Sequence, residues 1–118
     1  MRFLVLGGGL MGRAVIKDLL ENPSTESVVV ADTNSSVLKE LKVFLKKYDT
    51  KKWTFKKADV SKIVSVKKLM KGINTVVSAV TYKYNYELAK AAIQSGCHFC
   101  DLGGNNTIVD KEFTLDKM

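Results

Sequence analysis

Short runs of apolar residues alternate along this chain with stretches in which apolar residues recur every three or four positions. The runs are rich in β-branched residues, and the second and fourth are nearly continuous, as in parallel strands that are covered on both faces. They predict five strands: Phe3–Leu6, Val28–Ala31, Thr54–Ala58, Thr75–Ala79 and His98–Leu102.

The stretches between the runs have the periodicity of amphipathic helices. The predicted core positions of four such helices are Leu10, Ala14, Val15 and Leu19; Val37, Leu38, Leu41, Phe44, Leu45 and Tyr48; Val66, Leu69 and Met70; and Leu88, Ala89, Ala92 and Ile93. We expect Asn34 or Ser35 to cap the second helix and Ser61 the third, which ends at Gly72. Gly96 is expected to end the fourth as its C′ residue.

Regular alternation of strands and helices with short connections predicts a doubly wound α/β fold of the Rossmann type. Right-handed crossovers then favour a five-stranded parallel sheet in the order 3-2-1-4-5, the middle of three α/β/α layers. At 118 residues the chain is one domain, residues 1–118. Residues 107–118 have the pattern of a further helix, and no sixth strand follows, so we expect an N-terminal fragment of a longer enzyme.

Three glycines follow the first predicted strand and open the first predicted helix. Gly7, Gly9 and Gly12 fit the pattern G-x-G-x-x-G. In this context the first glycine allows a tight turn, the second lets a pyrophosphate approach the backbone, and the third lets helix and strand pack closely. The N–H groups at the start of the helix would face the phosphates. A glycine-rich turn without a ligand is the alternative.

An acidic residue at the end of the second strand completes this fingerprint. Asp32 lies twenty residues after Gly12, and its carboxylate can accept hydrogen bonds from both ribose hydroxyls. The same charge would repel a 2′-phosphate by about 4 kcal/mol at ~4 Å and an effective dielectric near 20. No arginine follows to offset this repulsion, only Thr33, itself a further candidate for cofactor contact, and Asn34, so NAD is favoured over NADP. A turn or helix-capping role is the alternative for Asp32.

The carboxyl ends of the third and fourth strands are further candidates for cofactor contacts. Asp59 and Val60 are expected beside the adenine, and Ala79 and Val80 near the nicotinamide ribose. Both assignments depend on the predicted topology.

The charge of the chain is uneven. Its net charge is +7, and residues 39–71 hold twelve lysines against three acidic residues. Arginine, which is favoured for base and phosphate contacts, is scarce, so we interpret the lysines as solvated helix faces and expect no nucleic-acid partner.

No apolar run is long enough to cross a membrane and the first strand leaves no room for a signal peptide, so we expect a cytoplasmic protein.

Two cysteines, one just before the fifth predicted strand and one within it, form the pattern C-x-x-C. In a strand, Cys97 and Cys100 would face opposite sides with Cα atoms roughly 10 Å apart, too far for a disulfide. No second cysteine pair completes a zinc site, so we expect no metal. We interpret both cysteines as buried and His98 as structural.

Four segments together are similar to one enzyme family: VLGGGLMGRAVIKDL, VVVADTN, NTVVSAVTYKYN and AIQSGCHFCDLGGNN. They resemble the cofactor-binding half of the saccharopine dehydrogenase family, most closely its lysine 6-dehydrogenase-like members. In that group a Tyr-x-Tyr-Asn segment follows the fourth strand, here Tyr82 to Asn85, and a Cys-His-Tyr-Cys-Asp-Leu-Gly-Gly-like segment forms the fifth, here with Phe99 in the tyrosine place.

The resemblance implies an oxidoreductase that moves hydride between a nicotinamide and the C–N bond of an amino acid. On this basis the pyrophosphate is held by Gly7, Gly9, Leu10, Met11 and Gly12. Tyr82 would lie close to the nicotinamide and substrate or, alternatively, form an aromatic lid. Gly103, Gly104 and Asn105 would border the same crevice.

Members of the family carry a second domain that binds the amino-acid substrate, and we expect these 118 residues to hold the cofactor domain alone. We therefore expect cofactor binding without turnover from the chain alone, and a homodimer for the full-length protein. The alternative from another class is an NAD-sensing regulatory domain of a potassium transport system, which binds the dinucleotide and has no catalytic role.

Overall fold

The computed structural model describes residues 1–49, 51–80 and 82–101. In this part of the chain the strands are β1 (Arg2–Leu6), β2 (Ser27–Asp32), β3 (Trp53–Lys57), β4 (Thr75–Ser78) and β5 (His98–Asp101). The helices are α1 (Leu10–Glu21), α2 (Ser36–Phe44), α3 (Ile63–Leu69) and α4 (Asn85–Gln94), with a 3₁₀ turn at Tyr82–Tyr84. The helix predicted in residues 107–118 lies outside the described residues.

The five strands form one parallel sheet in the order β3-β2-β1-β4-β5, which confirms the predicted topology. β1 is central: Leu4 is paired with Val29 of β2 on one side and with Val76 of β4 on the other. The chain order reverses between β1 and β4. In sheets of this kind the crevice outside the carboxyl ends of the strands, at this reversal, is where ligands bind.

Alternate residues of each strand supply two separate cores, one on each face of the sheet. Val5, Val28 and Val30 pack with Ile16 of α1 and Leu41 of α2 on one face. The other face has a core that includes residues of β1, α3 and α4, namely Leu4, Leu6, Val66, Leu88 and Ala92. The predicted arrangement of three layers is thus confirmed.

The buried stripe of α1 differs from the predicted one. Gly12, Ile16 and Leu20 are buried, whereas Leu10 and Ala14 face solvent. Each of these two lies two positions from a buried residue, which turns its side chain roughly 200° away on a helix. The apolar character of Leu10 therefore marked the wrong face.

Two more predicted core positions are exposed. Val37, Leu41 and Leu45 form the buried line of α2, so Phe44 lies on its flank. Ile93 is likewise exposed near the end of α4. Periodicity located both helices but did not limit the width of the stripe that their neighbours cover.

One of the predicted helix caps is wrong. Lys62, not Ser61, occupies the N-cap position of α3. The N–H and hydroxyl of Ser61 donate instead to Oδ1 of Asp59 (2.9 and 2.7 Å), so the serine closes a turn before the helix begins. At α4 the prediction is confirmed, because Gly96 follows the C-cap residue with a φ of +77°.

The two cysteines face different environments. Cys97 is buried against the α4 side of the sheet, its thiol is 3.2 Å from the carbonyl oxygen of Ile73, and burial raises its pKa. Cys100 is exposed, so the prediction that both are buried is wrong for it. β5 is the last described strand at that side of the sheet, and His98, on the same face as Cys100, is exposed too. Both thiols are free.

Helix α1 lies unusually close to the turn that precedes it. A Cβ atom on Gly12 would be 2.0 Å from the carbonyl oxygen of Gly7. No real contact is so short, so only glycine permits this approach. By contrast, a Cβ atom on Gly9 would meet nothing within 4 Å.

These two glycines should therefore respond differently to alanine. Gly12→Ala is expected to lower the free energy of unfolding by about 3 kcal/mol, the upper part of the range for overpacking. Gly9→Ala, the matched control, should change it by less than about 1 kcal/mol. Urea unfolding of both variants measures the difference, and equal losses would contradict the packing argument.

Candidate functional site

The turn between β1 and α1 is built around Gly7. Its φ of +101° is strained for any residue with a side chain, and its N–H donates to the carbonyl oxygen of Ala31 (2.8 Å). A Cβ atom here would also be 2.9 Å from the carbonyl oxygen of Ala79. The backbone of Gly7 is therefore held between the ends of β2 and β4.

Gly8 is one of the residues that sequence reasoning missed, because it is a variable position of the G-x-G-x-x-G pattern. Its N–H donates to Oδ2 of Asp32 (2.8 Å), and its carbonyl oxygen accepts from Nε of Arg13 (3.1 Å). A Cβ atom on Gly8 would be 2.5 Å from the side chain of Val37. Both ends of this residue are thus held in place.

Arg13 connects the turn to α2. Besides its bond to Gly8, its guanidinium forms an ion pair with Glu40. The Arg13 side chain is only 19% exposed. The guanidinium therefore fixes the carbonyl side of the turn, a role that its place within α1 did not indicate.

The start of α1 is open to solvent. Gly9 is the N-cap residue, with extended backbone and no side-chain cap. Leu10 and Met11 are 84% and 63% exposed. Because the first N–H groups of a helix have no partner within it, this end offers donors and a partial positive charge to an anion.

Asp32 ends β2 beside this turn. Its two carboxylate oxygens accept from different backbone groups, Oδ2 from Gly8 and Oδ1 from the N–H of Asn34 (3.0 Å). Each oxygen keeps a free lone pair, so the carboxylate can still accept hydrogen bonds from a ligand.

A cavity of about 220 Å³ lies outside the carboxyl ends of β2, β3 and β4. It is lined by Ala31, Asp32, Thr33, Ala58, Asp59, Val60, Val80 and Tyr84. Five of the predicted site residues thus lie together: Asp32, Thr33, Asp59, Val60 and Val80. Tyr84 was missed, because its family motif drew attention to Tyr82, whose side chain lies outside the described residues.

The predicted residue Ala79 does not line this cavity. Its N–H donates to the carbonyl oxygen of Leu6 (2.8 Å), and its own carbonyl lies against Gly7. In the described structure it therefore supports the glycine turn from behind.

A second cavity, of about 330 Å³, adjoins the first. It is lined by Thr33, Lys57, Ala58, Asp59, Lys62 and Ser65. Lys57 ends β3 in register with Asp32 of β2. Two hydrogen bonds from Ser61 lower the pKa of Asp59, the one from its hydroxyl more than the one from its backbone N–H. The cavity therefore combines two lysines with one carboxylate.

The asparagine of the Tyr-x-Tyr-Asn segment has a structural contact. Asn85 is buried at the start of α4, and the hydroxyl of Ser78 at the end of β4 bonds to its Oδ1 (2.7 Å). Inside a core such a bond is costly to lose. It fixes the start of α4 to the strand end that borders the site.

Two kinds of site find no support in the described part of the chain. Residues 1–49, 51–80 and 82–101 contain no group of three or more histidine, cysteine or acidic residues placed to hold a metal ion. Among the helices formed by these residues, none has the length and apolar character to span a membrane.

The sheet order, the glycine turn, the helix start and the carboxylate at the end of β2 define a Rossmann-type dinucleotide-binding domain. The profile of one protein family, described as "Saccharopine dehydrogenase NADP binding domain", matches residues 3–116. The chain belongs to this family, which confirms the family predicted from the sequence. The comparison does not test the lysine 6-dehydrogenase-like subgroup, which stays a prediction.

Solved structures support the same fold. Saccharopine dehydrogenase (L-Glu forming) from Saccharomyces cerevisiae is similar over 93% of this chain and 23% of its own, with a TM-score of 0.74 and 19% identity. Myo-inositol 2-dehydrogenase from Lactobacillus plantarum is similar over 99% of this chain and 33% of its own, with a TM-score of 0.72 and 16% identity. An NADPH-dependent quinone oxidoreductase from Escherichia coli is similar over 98% of this chain and 42% of its own, with a TM-score of 0.65 and 14% identity. The chain spans less than half the length of each.

Proposed function

We propose that this chain binds a nicotinamide adenine dinucleotide along the carboxyl ends of its strands. We further propose that it is the cofactor domain of an oxidoreductase acting on the C–N bond of an amino acid. The observation that carries the proposal is the hydrogen bond of 2.8 Å between Gly8 and Asp32, beside the open N-terminus of α1. Membership of the saccharopine dehydrogenase family supports the enzyme class.

The residues at the start of α1 fit a diphosphate. The space around Gly9 is open where a Cβ atom would point, and the preceding turn is held by Asp32 and Arg13. The backbone N–H groups of Leu10, Met11 and Gly12 would donate to phosphate oxygens, with the positive end of the helix dipole behind them. Gly7 and Gly12 act indirectly, by allowing the turn and its close packing.

The remaining groups of the cofactor follow from the cavities. Asp32 would accept from the adenosine ribose, with Thr33, Asp59, Val60 and Tyr84 around the adenine. Ala79 and Val80 follow the carboxyl end of β4, where the nicotinamide ribose is expected. Once bound, the nicotinamide supplies the hydride acceptor or donor.

The choice between NAD and NADP depends on charge. Asp32 led to a sequence-based preference for NAD, but the description of the family names NADP. The adjoining cavity offers a reason: Lys57 and Lys62 could donate hydrogen bonds to a 2′-phosphate. Thr33 and Ser65 are neutral donors beside them, and the carboxylate of Asp59 would repel the phosphate. We therefore propose that the domain accepts NADP through this lysine cavity.

Turnover requires a group that holds the substrate. Hydride transfer needs the reacting carbon about 3 to 3.5 Å from the nicotinamide, and the site described above has residues for the cofactor alone. We propose that the chain by itself binds cofactor without turnover, and that a second domain of the full-length enzyme positions the amino acid. The NAD-sensing alternative predicts binding too, but the family match favours an oxidoreductase.

Titration of the chain with NADH and NADPH, followed by nucleotide fluorescence, tests the proposed binding. Saturable binding is expected, and Gly9→Val should abolish it because the added side chain fills the space kept for the phosphates. Circular dichroism should show that this variant stays folded, since a Cβ atom at Gly9 meets nothing within 4 Å. Undiminished affinity in the folded variant would refute the diphosphate assignment.

Removing the carboxylate at the end of β2 should change the preference between the two nucleotides. Asp32→Ala is expected to weaken NADH binding by about 10- to 100-fold, as for the loss of charge-assisted hydrogen bonds. NADPH should lose less, since the charge that repels its 2′-phosphate is also removed. The matched control is Asp18→Ala on the exposed surface of α1. An unchanged NADH affinity in Asp32→Ala would argue against the ribose assignment.

Removing the lysines of the second cavity should affect NADPH binding more than NADH binding, the reverse of Asp32→Ala. The double variant Lys57→Ala, Lys62→Ala should weaken NADPH binding by about tenfold, or about 1.4 kcal/mol, and leave NADH unaffected. Lys67→Ala with Lys68→Ala on α3 removes the same charge away from the cavity. If both nucleotides weakened equally in the cavity variant, the lysines would not contact the 2′-phosphate.

A further inference from the structure

A groove runs along the edge of the sheet, between β3 and α2, apart from the cofactor cavities. Its volume is about 490 Å³, and it is lined by Leu38, Lys42, Leu45, Lys46, Trp53, Thr54 and Phe55. Two aromatic and two leucine side chains form its apolar wall, and two exposed lysines also line it. None of these residues lines either cavity assigned to the cofactor.

Within the described part of the chain, the outer side of β3 has no strand beside it. β3 is the terminal strand of the described sheet. The backbone of Lys52, just before β3, faces β2, because its carbonyl oxygen accepts from the N–H of Val28 (2.8 Å). In a parallel ladder alternate residues face the same neighbour, so the backbone groups of Trp53 and Phe55 point outward. Their side chains line the groove. An incoming strand would therefore find backbone partners and an apolar wall at the same edge.

Trp53 forms part of the wall of this groove. It is only 7% exposed, and its indole nitrogen is itself covered by protein atoms. The ring therefore supplies apolar surface at the groove.

The charge around the groove selects the ligand. Both charged residues that line the groove are lysines, Lys42 and Lys46, and the segment that supplies most of its lining, residues 39–57, has a net charge of +6. A second copy of the chain pairing through the same edge would bring two such surfaces together, which like-charge repulsion disfavours. Stacked nucleic-acid bases need an exposed aromatic face, and Trp53 is buried.

We propose that this groove binds an extended, acidic segment of a partner protein, which adds to the sheet as a strand beside β3. Alternate apolar side chains of the segment would enter the groove, and its carboxylates would meet Lys42 and Lys46. Main-chain hydrogen bonds to β3 would supply affinity, as in other cases of strand addition. This inference does not depend on the proposed cofactor function.

Trp53 reports directly on this groove, because it is the single tryptophan of the chain. We expect a short peptide of alternating glutamate and valine to change its fluorescence saturably, and a lysine–valine peptide to leave it unchanged. Lys42→Glu with Lys46→Glu should weaken binding at least about tenfold. Lys68→Glu with Lys71→Glu, an equal charge change elsewhere, should not.

Backbone pairing needs its own control. Two versions of the acidic peptide, N-methylated at even or at odd residues, each lose the donors of one strand edge, so one version should stop binding and the other should bind. No saturable change with the acidic peptide, or equal binding of both methylated versions, would overturn the proposal. A saturable change of Trp53 fluorescence with an oligouridylate instead of the peptide would also overturn it. So would self-association of the chain, measured by sedimentation, that changes Trp53 fluorescence.

Discussion

The candidate site depends on one hydrogen bond, from the N–H of Gly8 to the carboxylate of Asp32 (2.8 Å). The bond joins the end of β1 to the end of β2, which is possible only because these strands are parallel neighbours. A hydrogen bond to an ionised acceptor is stronger than a neutral one. Together with Arg13 on the carbonyl side, it sets the direction of the turn before any ligand arrives.

The glycines around this bond act in different ways, although all four lie within six residues of the sequence. Gly7 supplies the left-handed backbone, while Gly8 and Gly12 permit contacts that a Cβ atom would prevent. Gly9 alone has open space beside it. The first three are thus explained by the packing of the protein itself, whereas no described atom lies against a side chain added at Gly9.

The lysine-rich segment, residues 39–71, contributes to more than one surface. Solvated faces of α2 and α3 account for part of it, as predicted, with Lys39, Lys67 and Lys68 exposed. Lys57 and Lys62, however, line a cavity beside the candidate adenosine site, and Lys42 and Lys46 line the groove at β3. β3 is the terminal strand of the described sheet, and these lysines, from separate segments of the chain, lie on two surfaces to which β3 contributes.

The sequence by itself determined the elements, the parallel order of the sheet and most of the residues around the site. Strand runs and glycine spacing are local properties, and right-handed crossovers leave few topologies for alternating strands and helices. Asp32 and Val60 could be named because the ends of parallel strands meet at one edge.

Only the tertiary structure decided which side chains meet there. Gly8 and Arg13 became part of the site through contacts with Asp32 and Glu40, residues 24 and 27 positions away in the chain. Tyr84 entered the cavity because the turn before α4 directs it there, and Cys100 was left exposed because β5 is the last described strand at its side of the sheet. Such contacts depend on how whole elements pack, and a pattern of apolar residues records only which face is buried.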